Sequence, residues 1–369
     1  MDEALLKAHL SLTRIPKIGE SHIQVLLQHF SDPHAVFLAK RKSLEAVPGI
    51  GQVRAQEILQ FNQHQSVDKE IQFIAKNKIQ VLIKGQASYP KRLLNCSDSP
   101  HILFYKGNAP LDAKRIVAVI GTRSPTDYGK EIVLELIRTL ADYDVLVISG
   151  LAYGVDSLTH RASVHAKIPT VGVLGHGLDK IYPYANRDLA AEMLQHGGLL
   201  TEFMSGTQPD RQNFPKRNRI VAGLADVVVV VESGIKGGSL ITADIANSYH
   251  KDVLAFPGRC KDSQSEGCNW LIQSNRANLI CSGSDLIRFM NWDEYGRVKT
   301  SHQLRLFEEL TEEEKHIIEI VQENPMITMG GFAGRTTLRP SHIPGILLGL
   351  EIKGILRVLP GSRYQVSLS

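Results

Sequence analysis

The chain has 369 residues, 43% hydrophobic and 6% aromatic, with a formal charge of +4. That length predicts two or three domains with well-buried cores, and the mildly basic balance permits a nucleic-acid partner without requiring one. No apolar run approaches the roughly 18 residues of a membrane span and no charged-then-apolar leader is seen, which argues against a membrane protein and makes a cytoplasmic one the expectation.

Residues 1–65 read as helices broken by two similar turns, Ile15-Pro-Lys-Ile-Gly19 and Val47-Pro-Gly-Ile-Gly51. Apolar residues at helical spacing follow each: Ile23, Leu26, Leu27 and Phe30 after the first, Val53, Ala55, Ile58 and Leu59 after the second. Such turns resemble the helix-hairpin-helix (SAM-like) motif, whose glycines let backbone amides approach a phosphate. That contact carries no base information. A purely structural hairpin stays open for the first turn, which lacks the full Gly-Ile-Gly. Within residues 66–111, Ile79–Ile83 and Ile102–Tyr105 read as strands, with Tyr89-Pro90 and Ser99-Pro100 between them. The stretch is too apolar for a solvated linker and is assigned as an extension of the domain that follows.

An α/β alternation begins at Ile116. Short strands are expected at Ile116–Ile120, Val145–Ile148, Val171–Leu174, Leu199–Thr201, Val227–Val231, Val253–Phe256 and Leu279–Cys281, with helical patterns between them. This predicts a Rossmann-like, doubly wound parallel sheet over residues 112–292, or 66–292 with its extension. Residues 293–310 turn polar and lose their period, as a linker would. In residues 311–369, Thr311-Glu-Glu-Glu314 caps a helix through Val321, Pro340–Lys353 suggests another, and Ile355–Val366 reads as strand–turn–strand. That order resembles a winged helix, a module used for DNA reading or for protein docking.

The chemistry-bearing residues gather in loops of the middle domain. Its strands lead into Gly121-Thr-Arg-Ser124, Ser149-Gly-Leu-Ala-Tyr-Gly154, Gly175-His-Gly177 and Glu232-Ser-Gly-Ile-Lys-Gly-Gly-Ser239. A parallel sheet places such loops at its carboxyl ends, where ligands bind. The valines of Val227–Val231 read as a strand buried on both faces. Before it stands Asn213-Phe-Pro-Lys-Arg-Asn-Arg219, with Pro215 suited to the first turn of a short helix that Gly223 could end. Periodicity does not place this basic–aromatic cluster on the binding edge, because it enters the strand rather than leaving it. A solvated charged turn with Phe214 in the core is the alternative. Neither a dinucleotide fingerprint nor a P-loop is present. Ser149, Asp156 and His160 could be imagined as a triad but read better as a turn, a helix start and a helix face. Cys96, Cys260, Cys268 and Cys281 lack metal spacing and read as reduced thiols. Without an acid–base pair or metal cluster, binding is the better account than turnover, with no cofactor and no metal expected. Single strands need cations along the phosphates and rings that accept any base. Arg123, Arg211, Lys216 and Arg217 can supply the cations, and Phe214, with Tyr182 or Tyr184, the rings.

Five motifs in order resemble the DNA-processing protein DprA (Smf) family: Val117-Ala-Val-Ile-Gly-Thr-Arg123, Ser149-Gly-Leu-Ala-Tyr-Gly-Val-Asp156, Gly177-Leu-Asp-Lys-Ile-Tyr-Pro183, Asn213–Arg219 and Gly238-Ser-Leu-Ile-Thr-Ala243. The resemblance covers residues 112–281, and the flanks are similar to that family's N- and C-terminal domains. It implies a protein that binds single-stranded DNA, protects incoming DNA in natural transformation, loads the recombinase RecA, and dimerises through its Rossmann domain. By motif it assigns DNA contact to Arg123, Arg211, Phe214, Lys216 and Arg217, with Gly121, Thr122, Ser124, Ser149, Gly150, Asn218, Arg219, Gly238 and Ser239 around them. The sequence departs from the family pattern at Ser274-Asn-Arg-Ala277 and at His176. Two other functions compete. A phosphoribohydrolase of the lysine-decarboxylase-like type would carry Pro-Gly-Gly-x-Gly-Thr, of which Pro257-Gly-Arg-Cys260 matches only the first two residues. A sequence-specific regulator would read bases through residues 340–350, which carry few side chains able to do so.

Overall fold

The valine run lies inside a nine-stranded sheet, between two parallel neighbours. The computed structural model describes residues 2–62, 64–293, 311–324, 326–332, 334–336, 338–352, 355–359 and 363–366. Its sheet strands are β1 (Gln80–Ile83), β2 (Ile102–Gly107), β3 (Ile116–Gly121), β4 (Leu146–Ser149), β5 (Thr170–Val173), β6 (Gly198–Thr201), β7 (Val227–Val231), β8 (Asp252–Ala255) and β9 (Asn278–Leu279). The spatial order is β1-β2-β6-β5-β4-β3-β7-β8-β9. From β6 to β9 all pairs are parallel, whereas β2 pairs antiparallel with both β6 and β1. The expected extension therefore adds two antiparallel strands to one side of a doubly wound sheet. The order in which strands are added reverses about β3: β4, β5 and β6 follow outward on one side, and β7, β8 and β9 on the other. That switch point opens a crevice beyond the carboxyl ends of β3 and β7.

Both faces of the sheet are covered. Along β7, Val228 and Val230 enter one core with Ile116, Ala118 and Ile120, while Val227, Val229 and Val231 enter the other with Val117 and Val119. Alternate residues of a strand point to opposite faces, so five consecutive valines are stable only where both faces are dry. Each such side chain contributes about 1.5–3 kcal/mol of burial.

Contacts group Met1–Val298 into one unit and Lys299–Ser369 into another. Within the first unit, the N-terminal helices have a small core of their own (Leu12, Ile23, Leu26, Val36, Ala55 and Ile58). A second cluster joins Leu10, Val67 and Ile74 to Ile83, Ile102 and Phe104 of the sheet. Helix His64–Asn77 runs across the boundary expected at residue 65. The two similar turns share one local structure: Lys17 and Gly49 are both left-handed, and Gly19 and Gly51 both open helices, Glu20–Phe30 and Gln52–Leu59. Arg54 ties them together, donating from Nε to the Lys17 carbonyl and from Nη1 to the Gly49 carbonyl, both at 3.1 Å. In the second unit, Thr311 and Glu314 form a reciprocal cap on helix Glu312–Glu323, and helix Ile343–Ile352 follows. A three-stranded antiparallel sheet completes it, with β10 (Ile327–Thr328), β11 (Leu356–Leu359) and β12 (Arg363–Val366) in the order β10-β12-β11. The linker expected at 293–310 lies, after residue 293, outside the described residues. Among the described residues no helix is long and apolar enough to cross a membrane.

Glu20 joins the N-terminal helices to the sheet. Its carboxylate accepts the backbone N–H of His101 at 2.5 Å, and burial pushes its pKa up to about 7, against the pull of Arg219 and Lys84 and with Glu202 adding to the rise. A carboxyl raised in the folded state binds its proton more tightly than in the unfolded chain. Its stabilising effect is therefore complete below its ordinary value near 4.5 and is lost as pH rises through about 7. His101 has the opposite sign: burial beside His9 pushes it down to about 3, so it costs stability as pH falls below 6.5. Subtraction isolates Glu20. Glu20→Gln is expected to gain stability relative to the unmodified chain as pH rises from 5 to 8, read from paired denaturant melts, and a pH-independent difference would contradict this placement.

Candidate nucleic-acid interface

Helix Asn213–Leu224 precedes β7 and runs antiparallel to it, so its first turns sit at the carboxyl edge of the sheet. The cluster enters the strand by way of a helix, and twelve residues of helix carry it across the sheet to the binding edge. Gly223 does not end that helix. It lies inside it, where an added Cβ would fall 2.7 Å from Leu93 Cδ2 and 2.9 Å from Cys96 Sγ.

Helical geometry then sorts the cluster. Residues three or four apart share a face, and neighbours are turned by about 100°. Phe214, Arg217, Asn218 and Val221 face a cleft of about 680 Å³ that also takes in Gly121, Thr122, Arg123, Gly150, Asp156, Tyr182, Arg211, Ser233, Gly238, Ser239 and Thr242. Lys216 and Arg219 face a separate cavity of about 650 Å³ with Glu20, Ser21, Ser97, Asp98 and Glu202. Pro215 lines both.

Phe214 is half-buried. Its ring stacks on that of Tyr182, with centroids 6.4 Å apart and planes 30° apart. The Arg123 guanidinium lies 5.8 Å from the Phe214 centroid and that of Arg217 6.0 Å. Arg123 is exposed and so is Arg211, which lines a neighbouring hollow with Lys180, Tyr182 and Phe214. A partly open ring flanked by guanidinium groups is an arrangement that holds a nucleobase by stacking and a phosphate by charge.

Arg217 is expected from sequence among the phosphate-binding cations, and the structure corrects this. It is only 5% exposed, and Nη1 donates to the carbonyls of Gly150 and of Val173, the latter at 2.6 Å. Beside it the buried Asp156 accepts the amides of Gly150 at 3.1 Å and Ala152 at 3.3 Å. Burial pushes the Asp156 carboxyl up, opposed by the Arg217 charge and by these donors. Arg217 thus holds the ends of β4 and β5 to the helix and positions the site. Ser149 also moves out of the contact set: it is fully buried and its hydroxyl donates to the Val119 carbonyl at 2.6 Å. Arg219 pairs with Glu202 away from the cleft, and Lys216 is exposed on that same side. The imagined triad does not form among these atoms. His160 Nδ1 meets Thr170 Oγ1 at 2.7 Å, and burial holds the ring near a pKa of about 3 and therefore neutral.

The loops are interlocked by backbone approach. At Gly121 an added Cβ would sit 1.9 Å from the Val231 carbonyl oxygen, and Gly154, at φ +78°, would place one 2.3 Å from that of Thr122. Thr122 donates its amide to the Glu232 carbonyl at 2.8 Å and accepts that of Val155 at 3.1 Å. The Glu232 carboxylate takes the amide of Thr126 at 2.8 Å and its hydroxyl, closing the Gly121–Ser124 turn below the exposed Ser124 and Arg123. Sequence patterning missed Glu232, although a carboxylate directly after a buried strand is a signal. It missed Glu70 too, which from helix His64–Asn77 accepts the Ser205 amide at 3.0 Å and so holds the loop leading to Phe214. His176 is engaged at both ring nitrogens. Its Nδ1 donates to the Gly177 carbonyl at 2.9 Å and its Nε2 accepts the Tyr182 amide at 3.3 Å, fixing the neutral tautomer and the position of Tyr182. At the other departure, Arg276 lies 4.9 Å over Trp270 and pairs with Asp244 at 2.7 Å. Among the described residues no group of three or more His, Cys, Asp or Glu side chains is placed to hold a metal.

Residues 80–291 match the family described as DNA recombination-mediator protein A. The chain belongs to that family. Protein Smf of Synechocystis sp. is 30% identical over 391 residues, covering 96% of this chain and 97% of its own length. The X-ray structure of DNA processing protein A from Streptococcus pneumoniae superposes with a TM-score of 0.66 at 31% identity, covering 76% of this chain and 97% of that one. A Helicobacter pylori structure, described for the single-stranded DNA binding mode of that protein, reaches 0.53 at 32% identity, over 58% and 97%. The family match spans the sheet and every cleft residue named above.

Arg217→Ala is expected to lose about 3–5 kcal/mol, because it strips the cation from beside a buried carboxyl and removes a donor from the carbonyls of Gly150 and Val173. Arg123→Ala, on an exposed loop tip, is expected to stay within about 0.5 kcal/mol of the unmodified chain. Denaturant unfolding of the two variants side by side checks the division between positioning and contact.

Proposed function

We propose that this chain binds single-stranded DNA across the cleft and the neighbouring hollow, and that it serves in the processing of incoming DNA during natural transformation. The observation that carries this is the Phe214–Tyr182 stack with Arg123 over the Phe214 ring. Rings of that kind accept any base, and cations beside them track phosphates, so the site suits a strand of arbitrary sequence. The single-strand binding described for the Helicobacter pylori relative supports the same assignment. Thr122, Arg123, Ser124 and Arg211 meet phosphates at the mouth of the cleft. Gly238 and Ser239 offer the cleft the N-terminal amides of helix Gly238–Ser248. Gly121, Gly150 and Asn218 shape the wall between them.

In this reading the chain acts by binding and not by turnover, and Ser149, Asp156 and His160 serve the fold through their hydrogen bonds. It protects the bound strand and loads RecA onto it, working as a homodimer through the Rossmann domain. The N-terminal helices, the sheet domain with its extension, and residues 311–369 are its three functional parts, and the protein is cytoplasmic.

Arg123→Ala is expected to weaken binding equally for all base sequences and to reduce the slope of log affinity against log salt by about 0.7, the single-strand value per phosphate. Phe214→Ala is expected to lose roughly 1–3 kcal/mol with little change in that slope. Salt titrations with oligothymidine and with duplex of equal length read both effects. Unchanged affinity in a folded Arg123→Ala protein would remove the site.

A further inference from the structure

The aromatic–guanidinium pairing of the cleft occurs a second time on the same edge. Tyr184 is 73% exposed, among the most open large side chains of the molecule. The Arg187 guanidinium lies 5.9 Å from its ring centroid and Nη1 donates to its hydroxyl at 3.2 Å. This repeats the 5.8 Å pairing of Arg123 with Phe214. We propose that Tyr184 and Arg187 form a second stacking platform, which takes further unpaired nucleotides of the strand held at Phe214. The inference rests on single-strand binding at the cleft and extends its footprint.

Three observations carry it. First, the platform is continuous with the cleft: Tyr182, two residues earlier and 51% exposed, stacks on Phe214. Second, the segment is held rigid. Asn186 is buried and donates from Nδ2 to the carbonyls of Leu151 at 3.0 Å and Ala152 at 3.4 Å, on the loop that walls the cleft. Pro183 between the two tyrosines is buried and extended, and the Tyr182 amide is bound to His176. Preorganised rings lose little entropy on stacking. Third, helix energetics do not explain Arg187. It is the first residue of helix Arg187–His196, where the macrodipole disfavours a cation. Asp188 beside it answers the dipole, and Arg187 instead lies over an open ring. A cation and a ring displayed together at the edge of a basic groove suit a phosphate and its base.

Oligothymidine from roughly 4 to 16 nucleotides, the range of site sizes that other single-strand binding folds span, separates the two platforms. Tyr184→Ala is expected to leave the shortest strands bound as before and to weaken the longest by about 5- to 150-fold, the loss of one stacked base. Tyr184→Phe keeps the ring and is expected to bind both like the unmodified chain. Arg187→Ala is expected to reduce the salt slope for long strands by about 0.7, and Arg187→Lys to restore it. If folded Tyr184→Ala and Arg187→Ala proteins bind long strands unchanged, while Phe214→Ala weakens them, the second platform is overturned alone. Equal losses at every length would overturn it too, since the effect would then run through the cleft. An unmodified chain that binds no single strand overturns both platforms.

Discussion

The site depends on one buried guanidinium. Arg217 reaches from helix Asn213–Leu224 to carbonyls at the ends of β4 and β5, and faces Asp156, which holds the amides of the same loop. Burying a charge is costly, and here Nη1 has two carbonyl partners while Nε has none, so the arrangement depends on keeping all three elements in register. Once they are, Phe214 has little freedom, being on the same helical face and packed against Gly175. The most basic-looking stretch of the chain therefore spends one cation on geometry and turns two others away. Arg123 and Arg211 remain as the exposed cations beside the rings.

Other parts of the cleft are held from far along the chain. The Gly121–Ser124 turn rests on Glu232, one strand away in space and more than a hundred residues away in sequence. The loop before Phe214 rests on Glu70, and helix Glu20–Phe30 is bound to the sheet through His101. The N-terminal helices thus brace the groove as well as carrying their own paired turns. Loops fixed in this way meet a ligand preorganised, which keeps the ordering cost of binding low.

The parallel sheet and its carboxyl-edge loops were legible from the sequence, because a doubly covered parallel sheet shows as apolar runs with glycine-rich exits, whereas the strand order that makes the switch point came only from the structure. Strand limits differ by a residue or so, as at Val145–Ile148 against Leu146–Ser149, since solvent exclusion and not residue type ends a buried strand. The extension strands were legible as apolar runs, but their antiparallel pairing with β6 was not. The shared form of the two N-terminal turns was visible in their spelling, although only the left-handed backbone of Lys17 shows that the first needs no glycine there.

The sequence by itself determined which cations and rings lie beside the glycine turns of the sheet edge and so are candidates to meet a strand. Only the tertiary structure decided which of them face the cleft. Lys216, Arg217 and Arg219 look alike in sequence, yet a turn of about 100° per residue sends Arg217 to the cleft and the other two to a separate cavity. Arg217 is drawn to two carbonyls and Arg219 to Glu202, while the half-buried Phe214 lines the cleft beside Tyr182. Partners supplied by distant strands set each charge's role, and no local pattern encodes them.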